Sequence, residues 1–310
     1  MNTLRESVED YLAMRRGLGF KLRDAGKGLL DFASFLEQRG TTYITTSLAL
    51  EWAQQPSSAQ PAYWALRLSY VRGFARYRSA VDPRTEIPSS GLLPYCPGHA
   101  RPYLYTDEEI NHLLEAALNL PPADGLRRWT YHCLLGLLAV SGLRISEAIG
   151  LKPEEVDLSE GVLTVRGAKL GKSRLVPLHD STQRVLADYK LRRDAFLVER
   201  PASYFFISKL GKRLDGAEVR RTFYQLSRQI GLRGPDSSSG PRLHDFRHRF
   251  AVETLLQWYR AGEDVERRLP FLSTYLGHVH VSGTYWYLTA CPELMGQAVR
   301  RLEQRWEVQS

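Results

Sequence analysis

Between Asp82 and Pro102 the chain carries Pro83, Pro88, Pro94, Pro97 and Pro102, interspersed with Ser89, Ser90 and Gly91. Each proline fixes one backbone dihedral and removes one amide donor, so neither a long helix nor a central strand can cross this stretch. The chain therefore divides. Residues 83–104 are expected to be a linker, with one domain over 1–82 and a second over 105–310. Two domains also suit the length of 310 residues, since a domain takes about 100–200.

Before the break the pattern is helical. Leu4, Val8, Tyr11 and Leu12 form one apolar stripe, and Leu29, Leu30, Phe32, Phe35 and Leu36 form another, at the spacing of a 3.6-residue repeat. Thr46 or Ser47 is placed to cap a short helix that includes Trp52 and stops before Pro56. A further helix is expected over Tyr63–Tyr77, with Arg67, Arg72 and Arg76 along it. Arginines repeated along a helix serve equally as a solvated face or as a surface for backbone phosphates.

After the break, Thr106 and Glu109 form a capping box, and an apolar helix ends at Gly142. Gly161-Val162-Leu163-Thr164-Val165-Arg166 and Arg174-Leu175-Val176-Pro177-Leu178 read as hairpin strands joined by the basic, glycine-containing segment 167–173. Phe205-Phe206-Ile207 is expected as a third short strand. Helices are expected over Ser181–Leu197, Gly216–Ile230, Leu243–Trp258 and Leu269–Leu276, with Pro270 in the first turn of the last. The predicted fold class is mainly α with a small antiparallel β-sheet (α+β).

Composition narrows the function. The longest apolar stretch, Cys133–Val140, is too short to cross a bilayer of about 30 Å. The amino terminus shows no apolar core of a secretory signal. Cys96, Cys133 and Cys291 lie too far apart for a disulfide framework, so a reducing, cytoplasmic setting is expected. A formal charge of +8 suits a polyanionic partner, which basic side chains attract largely without regard to base sequence.

Four segments concentrate the side chains of interest. Arg144 follows Gly142 at the start of a helix, with Glu147 as an ion-pair partner three positions on. Lys169 lies in the hairpin segment. His244, Arg247 and His248 share one helical face. Arg247 between the two histidines makes that face better suited to an anion than to a metal. Finally, His278 precedes Tyr285 and Tyr287, which would point about 200° apart on a helix. Two arginines, a lysine, histidines and a tyrosine together could hold a phosphorus centre with extra negative charge and supply a nucleophile.

With these boxes in this order the chain resembles the tyrosine recombinase (phage integrase) family over most of residues 105–290. Gly142-Leu143-Arg144-Ile145-Ser146-Glu147 matches the first arginine box, and Leu243-His244-Asp245-Phe246-Arg247-His248 the His-x-x-Arg-His box. Leu276-Gly277-His278 matches the Leu-Gly-His box. Tyr287 stands nine positions after His278, the register of the family's nucleophile, which selects it over Tyr285. Counting back from Arg174-Leu175-Val176-Pro177-Leu178 aligns Lys169 with the family's hairpin lysine, with Lys172 as the alternative. The amino-terminal domain is similar to the family's core-binding (SAM-like) domain in size and helical character.

The resemblance implies a site-specific recombinase that cuts and rejoins double-stranded DNA at a recombination site through a 3′-phosphotyrosine on Tyr287, without cofactor or metal. It implies that Arg144, Arg247 and His278 bind the scissile phosphate, that Lys169 is the general acid, and that His244 helps deprotonate Tyr287. DNA contacts are expected from Arg67, Arg72, Arg76, Lys172 and Arg174. Residues 292–310 would form a carboxyl-terminal helix, with Leu294, Ala298, Leu302 and Trp306 as one stripe. Family members often dock this helix on a neighbour, which suits a homotetrameric synapse with or without related recombinases; packing on its own domain is the other reading. The Tyr-Trp-Tyr-Leu-Thr-Ala stretch around Tyr287 points to integration, excision or transposition of a mobile element. The alternatives are a type IB topoisomerase, a catalytically inactive DNA-binding accessory protein and, more remotely, a zinc protein using Cys96 and His99.

Overall fold

The computed structural model describes residues 3–94, 102–166, 173–198, 200–237, 239–278, 282–290 and 292–307. The chain forms two compact units, Met1–Ala100 and Arg101–Ser310.

In the first unit, the described residues form helices α1 (Leu4–Gly17), α2 (Arg23–Gln38), α3 (Thr46–Gln54) and α4 (Pro61–Arg78). Thr3 and Glu6 close a capping box at the start of α1. Helix α3 is capped by Thr45, whose hydroxyl accepts from the Leu48 amide at 3.2 Å, one position before the expected Thr46. Helix α4 begins two residues earlier than expected because Pro61 occupies its first turn, where the missing amide costs no hydrogen bond. Val8, Phe32, Leu36, Trp52, Val71 and Phe74 are wholly inaccessible, and each such side chain contributes roughly 1.5–3 kcal/mol of burial. Leu93, in the proline-containing stretch, joins this core.

The second unit contains α5 (Asp107–Leu118), α6 (Leu126–Ser141), α7 (Ile145–Ala148), β1 (Val156–Asp157), β2 (Val162–Val165) and β3 (Arg174–Pro177). These are followed by α8 (Asp180–Leu197), α9 (Gly216–Gln229), α10 (Asp245–Arg260), α11 (Val265–Leu276), α12 (Ser282–Ala290) and α13 (Pro292–Glu307). The sheet is antiparallel in the order β1-β2-β3. Leu163 lies opposite Val176, and Val165 opposite Arg174. That register turns Leu163, Val165 and Val176 into the core. The fold is mainly helical with one small sheet.

Two local expectations are corrected. The third strand is Val156–Asp157, whereas Phe205-Phe206-Ile207 is a buried irregular segment in which Ile207 makes one bridge to Arg213. Helix α11 starts four residues before Leu269, capped by Asp264, so Pro270 lies inside the helix. At the carboxyl terminus α13 packs on α10 and α12. Leu294 is buried in the same apolar cluster as Leu255 and Tyr287, while Met295 and Val299 are exposed. The side chains of Leu302 and Trp306 lie outside the described residues. No helix among the described residues is long and apolar enough to cross a membrane.

Candidate active site

Two glycine-terminated helices build the floor of the site. Helix α6 ends at Gly142 with φ +60° and α11 ends at Gly277 with φ +67°, a left-handed conformation that glycine adopts without penalty. Both positions are also crowded. A Cβ on Gly142 would lie 2.6 Å from the Phe250 ring, and one on Gly277 would lie 2.9 Å from Arg174 Nη1. Helix carboxyl ends carry unpaired carbonyls and partial negative charge, which favour cations. Arg247 donates to Gly142 O at 2.9 Å and to Leu276 O at 2.6 Å. Arg144 donates to the same Leu276 oxygen at 3.5 Å and to Gly277 O at 3.2 Å. One carbonyl thus anchors both guanidinium groups.

Glu147 organises the remaining charge. Its carboxylate accepts from Arg144 Nη1 at 2.9 Å and from the Arg144 amide at 2.9 Å. It also takes the Arg174 guanidinium in a two-pronged pair at 3.1 and 2.8 Å. Burial pushes the Glu147 carboxyl up, but the hydrogen bonds from Arg174 and the Arg144 amide, with the charges of both arginines, outweigh it and hold the group at about 2. Burial and the charge of Arg144 lower Arg247 to about 10, against the opposing pull of Tyr287 and Glu147. Arg247 therefore stays cationic at neutral pH. Three guanidinium groups against one carboxylate leave the pocket strongly attractive to an anion. Arg144 is its accessible member, with 29% of its side chain exposed.

Neutral imidazoles surround Tyr287. Burial first, then neighbouring positive groups, lower His248 to about 3 and His278 to about 4. His244 is also lowered, by burial and by Arg247. The Tyr287 ring centroid lies 5.5 Å from that of His248 and 6.0 Å from that of His278, nearly parallel to the latter. Tyr287 lies near enough to Arg247 to favour the charged guanidinium. Tyr287 is 2% exposed and Tyr285 54%, so α12 turns only Tyr287 toward the cationic pocket. The His278 Nδ1 and the buried Thr284 hydroxyl lie 2.8 Å apart, which fixes the ring's orientation.

Arg144, Arg247, His278 and Tyr287 thus converge. His244, the residue preceding α10, reaches Tyr287 only through His248, whose ring meets it edge-on at 4.7 Å. Lys169 and Lys172 lie outside the described residues, as do Cys96 and His99.

Of the arginines expected to face DNA, Arg67, Arg72 and Arg174 bind their own chain. Arg67 is 9% exposed; its guanidinium lies 3.8 Å from the Trp52 ring and donates to Trp52 O at 3.0 Å. Arg72 donates to Pro88 O and Ser89 O. Arg174 is committed to Glu147 and to Tyr275 O at 2.6 Å. For Arg67 and Arg174 a shielded acceptor offers the guanidinium more than solvent does. Arg76 is exposed. Sequence reasoning missed the Arg174–Glu147 pair and Thr284, and left His248 without a role. The His-x-x-Arg-His spacing was the available signal for His248; nothing local marks the other two.

The phage integrase family pattern matches residues 104–293. The chain is 61% identical to y4rB of Sinorhizobium fredii (strain NBRC 101917 / NGR234), which carries an integrase/recombinase name, over 99% of both chains. The chain belongs to the phage integrase family. A second relative, the tyrosine recombinase XerD of Caulobacter vibrioides (strain ATCC 19089 / CIP 103742 / CB 15), is 30% identical over 89% of this chain and 87% of that one. Among solved structures, the Tn1549 transposon integrase in complex with transposon right end DNA shares the fold. Its TM-score is 0.70 at 16% identity, over 98% of this chain and 99% of that chain. This integrase-family chain is accordingly a tyrosine recombinase, an enzyme of DNA strand transfer.

Proposed function

We propose that Tyr287 attacks the scissile phosphate of a duplex recombination site held by Arg144 and Arg247, during integration, excision or transposition of a mobile element. The observation that carries this reading is buried Tyr287 packed against His248 and His278, with both arginines tied to one carbonyl. The phenolic oxygen forms a bond to phosphorus as the bond to the 5′ oxygen breaks. The 3′ end becomes a phosphotyrosine and the leaving oxygen becomes a 5′-hydroxyl. A 5′-hydroxyl from the partner duplex then reverses the step, so bond energy is conserved.

A phenol is a weak nucleophile until it loses its proton, so Tyr287 needs a base. Neutral His248 and His278 stand against its ring, and His244, expected to help deprotonate Tyr287, stands edge-on to His248. His278 also completes the phosphate site. Lys169 protonates the leaving oxygen, as the resemblance implies. Strand exchange joins two duplexes, each cut on both strands, so four protomers act together.

The test uses a nicked suicide substrate, on which rejoining cannot occur. Wild-type protein and Tyr285→Phe should accumulate a covalent protein–DNA adduct, and Tyr287→Phe should form none. Adduct from Tyr287→Phe together with its loss from Tyr285→Phe would overturn the assignment.

A further inference from the structure

We propose that Arg174 is a positioning residue of the phosphate site, fixing Arg144 through Glu147 and the turn before His278 through the Tyr275 carbonyl. The inference rests on the reading of the site given above. Arg174 is the first residue of β3 and would ordinarily be taken for a solvated cation. Its side chain and that of Glu147 are each only 8% exposed, so water and salt screen their interaction little.

The geometry couples the two arginines through one carboxylate. Glu147 Oε1 accepts from Nη1 of both Arg144 and Arg174, at 2.9 and 3.1 Å. Glu147 Oε2 accepts from the Arg144 amide and from Arg174 Nη2, at 2.9 and 2.8 Å. The third prong, Nε, holds Tyr275 O at 2.6 Å. Arg174 Nη1 also rests where a side chain on Gly277 would stand. Arg174 thus braces both ends of the pocket that Arg144 spans between Glu147 and Gly277 O. A lysine cannot reproduce this, because an ammonium group lacks the planar fork that meets a carboxylate and a carbonyl together.

The coupling has a pH signature. Arg144 and Arg174 bind Glu147 directly, Arg247 from α10 senses its charge, and His278 senses Arg144 and Arg174. Without Arg174, burial raises the Glu147 carboxyl, and protonation would release Arg144.

The experiment measures single-turnover cleavage of a suicide substrate at saturating DNA, as a function of pH. It compares wild type, Arg174→Lys, Arg174→Met and the double variant Arg174→Met/Glu147→Gln, with DNA affinity and thermal unfolding in parallel. Displacing a group that binds the reacting phosphate by about 1 Å costs on the order of 100-fold in rate, so Arg174→Lys should lose that much cleavage while retaining DNA affinity. Arg174→Met should gain an acidic limb in its rate profile that the double variant lacks. Wild-type cleavage by Arg174→Lys would overturn the proposal, as would an unchanged profile in Arg174→Met with loss matched by unfolding. Should Arg174→Met not fold, Arg174→Lys and the double variant still decide. A wild-type protein that forms no adduct would instead defeat the underlying reading.

Discussion

His248 and His278 enter the folded state without their protons, held at about 3 and about 4 by burial and by the surrounding positive groups. In the unfolded chain both titrate near their ordinary value of about 6.5. Between those limits the unfolded state binds more protons, so acidification withdraws stability. Glu147, at about 2, acts in the same direction once pH falls below the ordinary carboxylate range. Stability should therefore fall from about pH 6.5 downward. Replacing His248 by Phe should remove up to one proton from that dependence, about 1.4 kcal/mol per pH unit. Urea unfolding at about pH 7 and about pH 5 measures it; an unchanged slope would mean that His248 is already charged in the native protein. At this scale composition was a poor guide to role. Arg67 and Arg174 look like surface cations in the sequence, yet lie against Trp52 and Glu147. What a guanidinium faces depends on partners 15 and 27 positions away.

The helix ends make separable contributions. At Gly142 an added Cβ meets Phe250, whose ring is stacked 5.3 Å from Tyr275 and cannot easily withdraw. At Gly277 it meets the end of the Arg174 side chain, which can move. Each alanine also costs about 1–2 kcal/mol for the left-handed backbone. Gly142→Ala should thus be the more destabilising in urea, whereas Gly277→Ala, by dislodging Arg174, should lose proportionally more cleavage than stability. Equal ratios of cleavage to stability in the two variants would refute this. Elements with local signals were legible: β2 and β3 from branched residues flanking a glycine-containing segment, and α5 from its capping box. The two-residue β1 is too short to show alternation, and Pro270 disguised the early start of α11. The apolar run Phe205-Phe206-Ile207 reads as a strand, but burial alone accounts for its composition.

At the scale of the whole molecule, the charge of +8 is sorted into cations that serve the fold and cations that face outward. In the first unit Arg67 and Arg72 bind their own chain, whereas Arg16, Lys21, Arg23 and Lys27, around the junction of α1 and α2, are exposed. Alanine at any of those four should lower the slope of log affinity for DNA against log salt by about 0.9 for each phosphate that is no longer neutralised. Alanine at Arg67 should leave the slope unchanged and lower stability; the opposite pattern would show that the fold-serving and DNA-facing cations have been exchanged. Charge sorting of this kind requires the assembled structure, and so does the site. Arg144 and Arg247 meet at a carbonyl 132 and 29 positions away in the chain. A polypeptide still emerging from the ribosome, with Leu276 not yet free to fold, has no shared anchor for these arginines. Under the proposed reading, a nascent chain that stops short of Leu276 cannot assemble the phosphate site, whatever else of it has already folded.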